Sequence, residues 1–280
     1  MAAEDITPCR HLGAPPEAIV DSVSRVIEGL ARDSAYLATK GLSCEEYTQA
    51  LPSAIEKMRG SQSASNAERR SFLASLFTKM QERGEVTRFE MPRYGDDTVY
   101  RLEVPTLGSV AIIQKGCPDG KHSSVSWSRP EWAKEAYLWW LCSSMAYQPG
   151  FHVWKGVNRL RQRFFSNAPD TIDGVIFHNE LCGTPSRPCP KIGNAIEIDG
   201  KLVPPPCIYV MPEHADNGVE WNWDGRREVL FPRVLHAMFD IPDNQTSAYT
   251  GHVGFQRRGA VIRTNVSCHF GPGRSMNHRS

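Results

Sequence analysis

The segment from Asp173 to Glu180 carries side chains that can move protons. Asp173 opens and Glu180 closes the stretch DGVIFHNE, His178 stands between them, and Lys191 follows. An acid pair with a lysine is one arrangement suited to hydrolysis, and a histidine can act as a general base. This spacing predicts one of two candidate catalytic sets, made of Asp173, His178, Glu180 and Lys191. A histidine that is only hydrogen-bonded within its strand is the alternative.

His178 also precedes three cysteines that could complete a zinc site. Cys182, Cys189 and Cys207 lie in a Gly- and Pro-rich stretch, and the pattern His-x3-Cys-x6-Cys could fold around a metal ion. The spacing is not that of a common zinc finger. Two interpretations stay open, a structural Zn²⁺ site and buried free cysteines, and the second is favoured.

Basic side chains gather in two stretches that contain no acid. One runs from Phe151 to Arg163 and includes Lys155 and Arg159; the other is the last thirty residues, which include Arg263. The net charge is only +1, but stretches of this kind can contact phosphates while the remaining surface stays balanced. A solvated basic surface is the alternative.

The stretch from Gly251 to Gly259 is predicted to form a hairpin tip framed by glycines. It carries Gln256, Arg257 and Arg258. Arginine pairs bidentately with guanine and glutamine with adenine, and a two-stranded ribbon fits the major groove of DNA. The tip is therefore a candidate for base recognition, and a simple basic turn is the alternative.

Hydrophobic spacing predicts the elements that position these residues. Residues 15–59 are predicted to be helical, and a polar linker at 60–66 leads into a helix that begins near Asn66 and ends at Gly84. The period then falls from about 3.6 to about 2, which predicts a meander of three strands. These strands cover residues 85–91, 98–104 and 109–115.

The rest of the chain is predicted to contain one more long helix and several strands. The helix covers Pro130 to Met145, a strand covers Gly174 to Asn179, and the turn Asp199-Gly200 joins residues 194–198 to a strand at 207–211. Trp221 and Trp223 fall in a loop, a short helix covers 230–238, and a hairpin covers 251–265. The predicted fold class is α+β, with a helical region at 1–65, an αβββαβ core at 66–180 and a β-rich target-recognition module at 181–280.

The order helix, three strands, helix, strand over residues 66–180 resembles the core of the PD-(D/E)xK nucleases, which include many type II restriction endonucleases. In that family an acid on the second strand and an acid-x-lysine pair on the third hold a divalent metal and orient the attacking water. The resemblance implies Mg²⁺ held by Asp97 or Glu103, with Lys115, at the end of VAIIQK, as the lysine.

This sequence departs from the family pattern at Ile113, which stands where the paired acid belongs. Gln114 could supply a weaker ligand, or an acid of the next helix, Glu131 or Glu135, could replace it. The loop after the third strand, KGCPDGKHSS, contributes Lys121 and His122 near amides and hydroxyls suited to phosphate oxygens. A structural meander is the alternative. The catalytic set implied by the resemblance is Asp97, Glu103, Gln114, Lys115 and Glu135.

The composition is that of a globular protein. Hydrophobic residues make up 40% and charged residues 22% of the chain, and eight cysteines are too widely spread for a disulfide scaffold. No apolar run approaches the roughly 18 to 20 residues of a membrane helix, and the N-terminus lacks the pattern of a signal peptide. We expect a cytoplasmic protein that has no membrane partner.

These patterns lead to one main functional hypothesis and two alternatives. The main one is a metal-dependent restriction endonuclease, a homodimer that cleaves double-stranded DNA at a specific site, with or without modified bases. Its N-terminal helices would serve dimerisation or DNA contact. The first alternative is a non-catalytic winged-helix regulator, because residues 67–91 followed by 98–104 fit that pattern. The second is a small-molecule hydrolase or transferase centred on Asp173, His178 and Glu180.

Overall fold

The computed structural model describes residues 17–51, 66–92, 98–115, 127–141, 153–154, 156–158, 171–178, 190–213, 220–223, 225–269 and 275–279. They form an α+β fold, as predicted. The chain divides into two compact units, one within residues 10–65 and one within residues 66–280. In the part of the chain that is described, no helix has the length and apolar character needed to cross a bilayer.

The first unit is helical, which confirms the prediction for its described residues. Helix α1 covers Glu17–Leu30 and α2 covers Ser34–Thr39, and residues 44–51 are also helical. The Tyr47 hydroxyl donates to the Ile27 carbonyl at 2.9 Å, which links the third helical segment to α1. Three apolar side chains of α1 remain exposed, namely Ile19, Val23 and Val26.

The second unit is built on one large mixed sheet. Its strands lie in the order β1-β2-β3-β4-β5-β8-β10-β11-β12, and β9 also pairs with β10. The bounds are β1 Arg88–Glu90, β2 Val99–Val104, β3 Gly108–Lys115, β4 Glu135–Leu141, β5 Gly174–His178, β8 Cys207–Val210, β9 Glu220–Trp223, β10 Thr250–Arg258, β11 Val261–His269 and β12 Ser275–Arg279. A separate hairpin pairs β6 Ile196–Ile198 with β7 Lys201–Val203.

Strands β1, β2 and β3 form an antiparallel meander. Strand β4 then pairs with β3, and β5 with β4, both in parallel. The meander confirms the prediction. The helix predicted from Pro130 to Met145 is wrong, because its centre is strand β4. All seven residues of β4 are buried, as expected for a parallel strand that is covered on both faces.

Two apolar layers cover the sheet. The first core includes Ile113, Leu138, Phe177, Phe255 and Val266, and residues 153 and 157 pack into it from a helical segment. The second core includes Ile112, Trp139 and Ile176 on the opposite face of the same strands. It is completed by helix α3 (Asn66–Glu82) and helix α4 (Phe231–Ala237).

The region after residue 180 differs from the prediction in two places. The turn Asp199-Gly200 is confirmed, with φ values of 51° and 75°, but it joins β6 to β7 and not to the strand that begins at Cys207. Trp221 and Trp223 lie in strand β9, not in a loop. Strand β8 pairs with β5, so the boundary placed between residues 180 and 181 falls inside a continuous sheet.

Candidate functional site

The carboxyl ends of three parallel strands meet at one edge of the sheet. β3 ends at Lys115 and β5 ends at His178, while β8 runs in the opposite direction and begins at Cys207. We call this the carboxyl edge and define it by Lys115, His178 and Cys207. Ligands of open α/β sheets bind outside the carboxyl ends of the strands, so this edge is a candidate ligand site.

Lys115 and Gln114 point to opposite faces of β3. The Gln114 side chain is buried, and its Oε1 accepts a hydrogen bond of 2.5 Å from the Tyr100 hydroxyl. Lys115 is half-buried and shares the face of Ile113, since side chains alternate along a strand. Gln114 therefore cannot replace the missing acid next to Lys115.

Glu103 and Glu135 lie at the other end of the same strands. Glu103 pairs with Ser109, which is six residues before Lys115 along β3, or about 20 Å at roughly 3.3 Å per residue. Glu135 pairs with Val110, five residues before Lys115. The predicted grouping of these acids with Lys115 is not formed. We call this end the amino edge.

Glu103 belongs to a surface network on the meander. Its carboxylate lies 2.6 Å from Arg101 Nε and accepts from Ser109 Oγ at 2.8 Å and 2.9 Å. Desolvation raises the pKa of Glu103, but the hydrogen bonds from Ser109 and Arg101 outweigh it, so the pKa is lowered overall. Arg101 in turn stacks over the Trp132 ring at 4.8 Å. This arrangement uses the carboxylate to hold β2 to β3.

Glu135 anchors the start of helix α4. Its Oε1 accepts from the Leu230 amide at 2.8 Å, and its Oε2 accepts from the Phe231 amide at 3.0 Å and from the Tyr137 hydroxyl at 2.6 Å. Burial and the neighbouring Glu135 charge raise the pKa of Tyr137 well above its usual value, so the hydroxyl remains a donor. The buried carboxylate thus satisfies amides at a helix start that would otherwise lack partners.

Asp173 is held between two arginines. Its Oδ2 lies 2.7 Å from Arg129 Nη1 and accepts from the Ala136 amide at 2.6 Å, while its Oδ1 lies 2.6 Å from Arg227 Nη2. Arg129 also donates to the Lys134 carbonyl at 2.7 Å and Arg227 to the Met211 carbonyl at 2.9 Å. The carboxylate therefore ties three separate segments to the start of β5.

The second catalytic set is not assembled either, because Asp173 and His178 lie at opposite ends of β5. Five residues of strand separate them, about 16 Å. His178 stands at the carboxyl edge, buried against the rings of Phe72 and Trp139, with centroid separations of 5.2 Å and 5.9 Å. Lys191 is the third described member of this set, and it lies close enough to His178 for its charge to lower the pKa of that histidine.

A buried polar cluster lies at this edge, formed by His178, Lys191, Cys207 and His236. Lys191 Nζ donates to Cys207 Sγ at 3.1 Å, and His178 Nε2 donates to the Pro204 carbonyl at 2.8 Å. Burial and the Lys191 charge lower the pKa of both histidines to about 3. Neutral rings follow, and among the described residues neither His178 Nδ1 nor either ring nitrogen of His236 has a hydrogen-bond partner.

His178 and Cys207 are the described members of the predicted zinc set. His178 Nε2 is engaged by the Pro204 carbonyl and Cys207 Sγ by Lys191. Within the described ranges no group of three or more His, Cys, Asp or Glu side chains is arranged to hold a metal ion. The hairpin residues Gln256, Arg257, Arg258 and Arg263 lie on β10 and β11, away from this cluster.

Eight candidate residues lie outside the described residues. They are Asp97, Lys121, His122, Lys155, Arg159, Glu180, Cys182 and Cys189. The sequence interpretation also missed three residues. Arg129 and Arg227 complete the Asp173 site from 44 and 54 residues away, and His236 joins the buried cluster from helix α4. No local pattern in the sequence marks them.

No protein-family model matches this chain, and no curated protein or solved structure is significantly similar to it.

Proposed function

We propose that this chain is a DNA endonuclease of restriction type that cleaves double-stranded DNA at the carboxyl edge. The observation that carries the proposal is the position of Lys115, at the end of β3 and beside the start of β2, where Val99 pairs with Ile113. An ammonium group there can stabilise the charge that develops on a phosphate during hydrolysis and orient the attacking water.

The strand order gives further support. Helix α3 packs on the meander β1-β2-β3, and the next strand, β4, joins β3 in parallel. The helix followed by a three-stranded meander is the first part of the order that the resemblance implies, and β4 stands where that order has a helix. Helical residues at 153–154 and 156–158 precede β5, after the position at which the helix was expected. The proposal keeps the cytoplasmic location and the homodimer, and exposed apolar side chains on α1 support the homodimer.

Three described acids of the predicted catalytic sets do not fit a magnesium site. Glu103, Glu135 and Asp173 are each bonded to protein partners at the amino edge. Asp97, the other predicted ligand, precedes β2 by two residues in the sequence and lies outside the described residues. The proposed dependence on Mg²⁺ therefore does not rest on these three acids, and the comparison of Mg²⁺ with EDTA in the cleavage assay tests it.

The two alternatives have less support. A winged helix has a free β-hairpin as its wing. Here β3 pairs with β2 on one side and with β4 on the other, so the hairpin β2-β3 is part of the large sheet. The small-molecule enzyme required Asp173 and His178 in one site, and they stand at opposite ends of β5.

The test is incubation of the protein with methylated and unmethylated plasmid DNA, in Mg²⁺ or in EDTA. We expect discrete fragments in Mg²⁺ only. The Lys115→Ala and Asp97→Asn variants should lose cleavage and keep DNA binding, whereas Glu103→Gln should still cleave. Lys134→Ala, an exposed lysine at the amino edge, is the matched control and should cleave normally.

Two outcomes would contradict the proposal at different levels. Absence of cleavage by the unmodified chain on either plasmid would remove the endonuclease. Normal cleavage by Lys115→Ala would keep the endonuclease but move its active site away from the carboxyl edge.

A further inference from the structure

The hairpin β10-β11 has two chemically different faces. Phe255 of β10 and Val266 of β11 point into the first core, and Thr264 Oγ1 donates to Asn158 Oδ1 at 2.7 Å on the same side. Because side chains alternate along a strand, Gln256 and Arg258 must point to the opposite side. The register confirms this grouping, since Gln256 pairs directly with Arg263.

The side opposite the first core is polar. Arg258 and Arg263 are exposed and Gln256 is half-buried. With its amide oxygen turned toward the guanidinium, Gln256 accepts from Arg258 Nε at 3.2 Å and Nη2 at 3.0 Å. On β12, Asn277 pairs with Ser267 and is exposed on the same side. We call this surface the outer face and define it by Gln256, Arg258, Arg263 and Asn277.

No apolar layer covers the outer face in the described part of the chain. The second core, which lies on this side of the sheet, includes residues up to Tyr249 and no described residue of β10, β11 or β12. The last thirty residues contain no acid, so the positive charge of Arg258 and Arg263 is not balanced from within these strands. The nearest acid in the register is Glu220, opposite Arg258 on β9.

Arg257 differs from its neighbour Arg258. It pairs with Ile262, which packs against the first core, and its Nε donates to the Gly259 carbonyl at 3.1 Å. The two arginines are adjacent in the sequence and carry the same charge, but they project from opposite faces of β10.

We propose that the outer face binds duplex DNA through Arg258 and Arg263, with Gln256 positioned to contact base edges. Exposed arginines on strands that contain no acid complement the phosphate backbone, and arginine and glutamine are the side chains that read guanine and adenine. Strands are known to present such residues to a groove. The choice of DNA as the partner rests on the proposed endonuclease function.

The outer face and the carboxyl edge are separate surfaces. β10 runs parallel to β8 and therefore opposite to β5, so Arg258 lies toward the amino edge while Lys115 lies at the carboxyl edge. Binding at the outer face and cleavage at Lys115 can therefore be removed independently.

The experiment compares three single variants of equal charge change, Arg257→Ala, Arg258→Ala and Arg263→Ala, in the full chain. Binding to a short mixed-sequence DNA duplex is measured in EDTA at several salt concentrations, with thermal unfolding as the check on folding. Arg258→Ala and Arg263→Ala should each weaken binding and lower the salt slope by about one unit. Arg257→Ala should bind like the unmodified chain.

Three results would overturn this inference. Equal losses for Arg257→Ala and Arg258→Ala would show a general charge effect, and no loss for Arg258→Ala or Arg263→Ala would place DNA elsewhere. Stronger competition by an RNA duplex or by an acidic peptide such as polyglutamate would assign the face to another partner. Because binding is measured in EDTA, these results are independent of whether the chain cleaves DNA.

Discussion

Asp173→Asn tests whether an acid held between two arginines is structural or catalytic. The substitution keeps the shape of the side chain but replaces one carboxylate oxygen with an NH₂ group. Oδ2 accepts from Arg129 and from the Ala136 amide, and Oδ1 accepts from Arg227. Whichever oxygen is replaced, a donor then faces a donor, and both guanidinium groups lose their anionic partner.

The size of the effect follows from burial. The Asp173 side chain is 6% exposed, so removing its charge resembles breaking a buried pair, which costs about 3 to 5 kcal/mol. Arg129 and Arg227 are 24% and 21% exposed, and water can partly solvate them after the change. We therefore expect a loss near the lower end, about 3 kcal/mol of unfolding free energy.

Urea unfolding at neutral pH, followed by tryptophan fluorescence, measures this loss. Glu103→Gln is the matched control, because its ion pair with Arg101 is more exposed and should contribute only about 0.2 to 1 kcal/mol. If Asp173→Asn lowers stability by less than about 1 kcal/mol, the structural role is refuted. If the variant keeps this stability but no longer cleaves DNA, Asp173 is again a candidate catalytic residue.

Two further predictions concern acid stability and a close approach in the sheet. Burial and Lys191 lower the pKa of His178 and His236 from 6.5 to about 3 in the folded chain. Between these pH values the unfolded chain binds more protons than the folded chain, so stability decreases as the pH is lowered. Each histidine should cost about 1.4 kcal/mol per pH unit in this range, and His236→Phe should lower the slope seen in urea titrations by about that amount; an unchanged slope would contradict this. Gly174→Ala should lower stability by about 1 to 3 kcal/mol, because its new Cβ would lie 2.7 Å from the Tyr137 ring and 2.9 Å from the Tyr209 carbonyl. Gly193→Ala, with no atom within 4 Å, should be close to neutral, and equal losses in both would refute the steric argument.

Strand β4 shows where periodicity fails. The sequence EAYLWWL has no apolar-polar alternation because both of its faces are buried, and the same apolar run fits a buried helix. The clearest local signal was its content of Tyr137, Trp139 and Trp140, since aromatic residues are enriched in strands. By contrast, β2 alternates between half-buried and buried residues, and its prediction was correct.

The candidate site was harder to predict than the meander. The sequence correctly places Lys115 at the end of a strand, but the partners of the acids come from distant segments. Glu135 meets amides at residues 230 and 231, and Asp173 meets Arg129 and Arg227. Spacing along the chain carries no information on such contacts. The sequence alone therefore does not distinguish acids that bind protein groups from acids that bind a ligand.

The open sheet has a consequence for how this protein avoids aggregation. Among the described strands its main path ends at β1 and β12, and an uncovered edge strand can template pairing with another chain. β1 is only three residues long and carries the Arg88–Glu90 ion pair, which makes it a poor template. β12 covers residues 265–269 of the nine-residue strand β11. Proteolytic loss of β12 would therefore expose the longer strand as a sticky edge and favour insoluble assemblies.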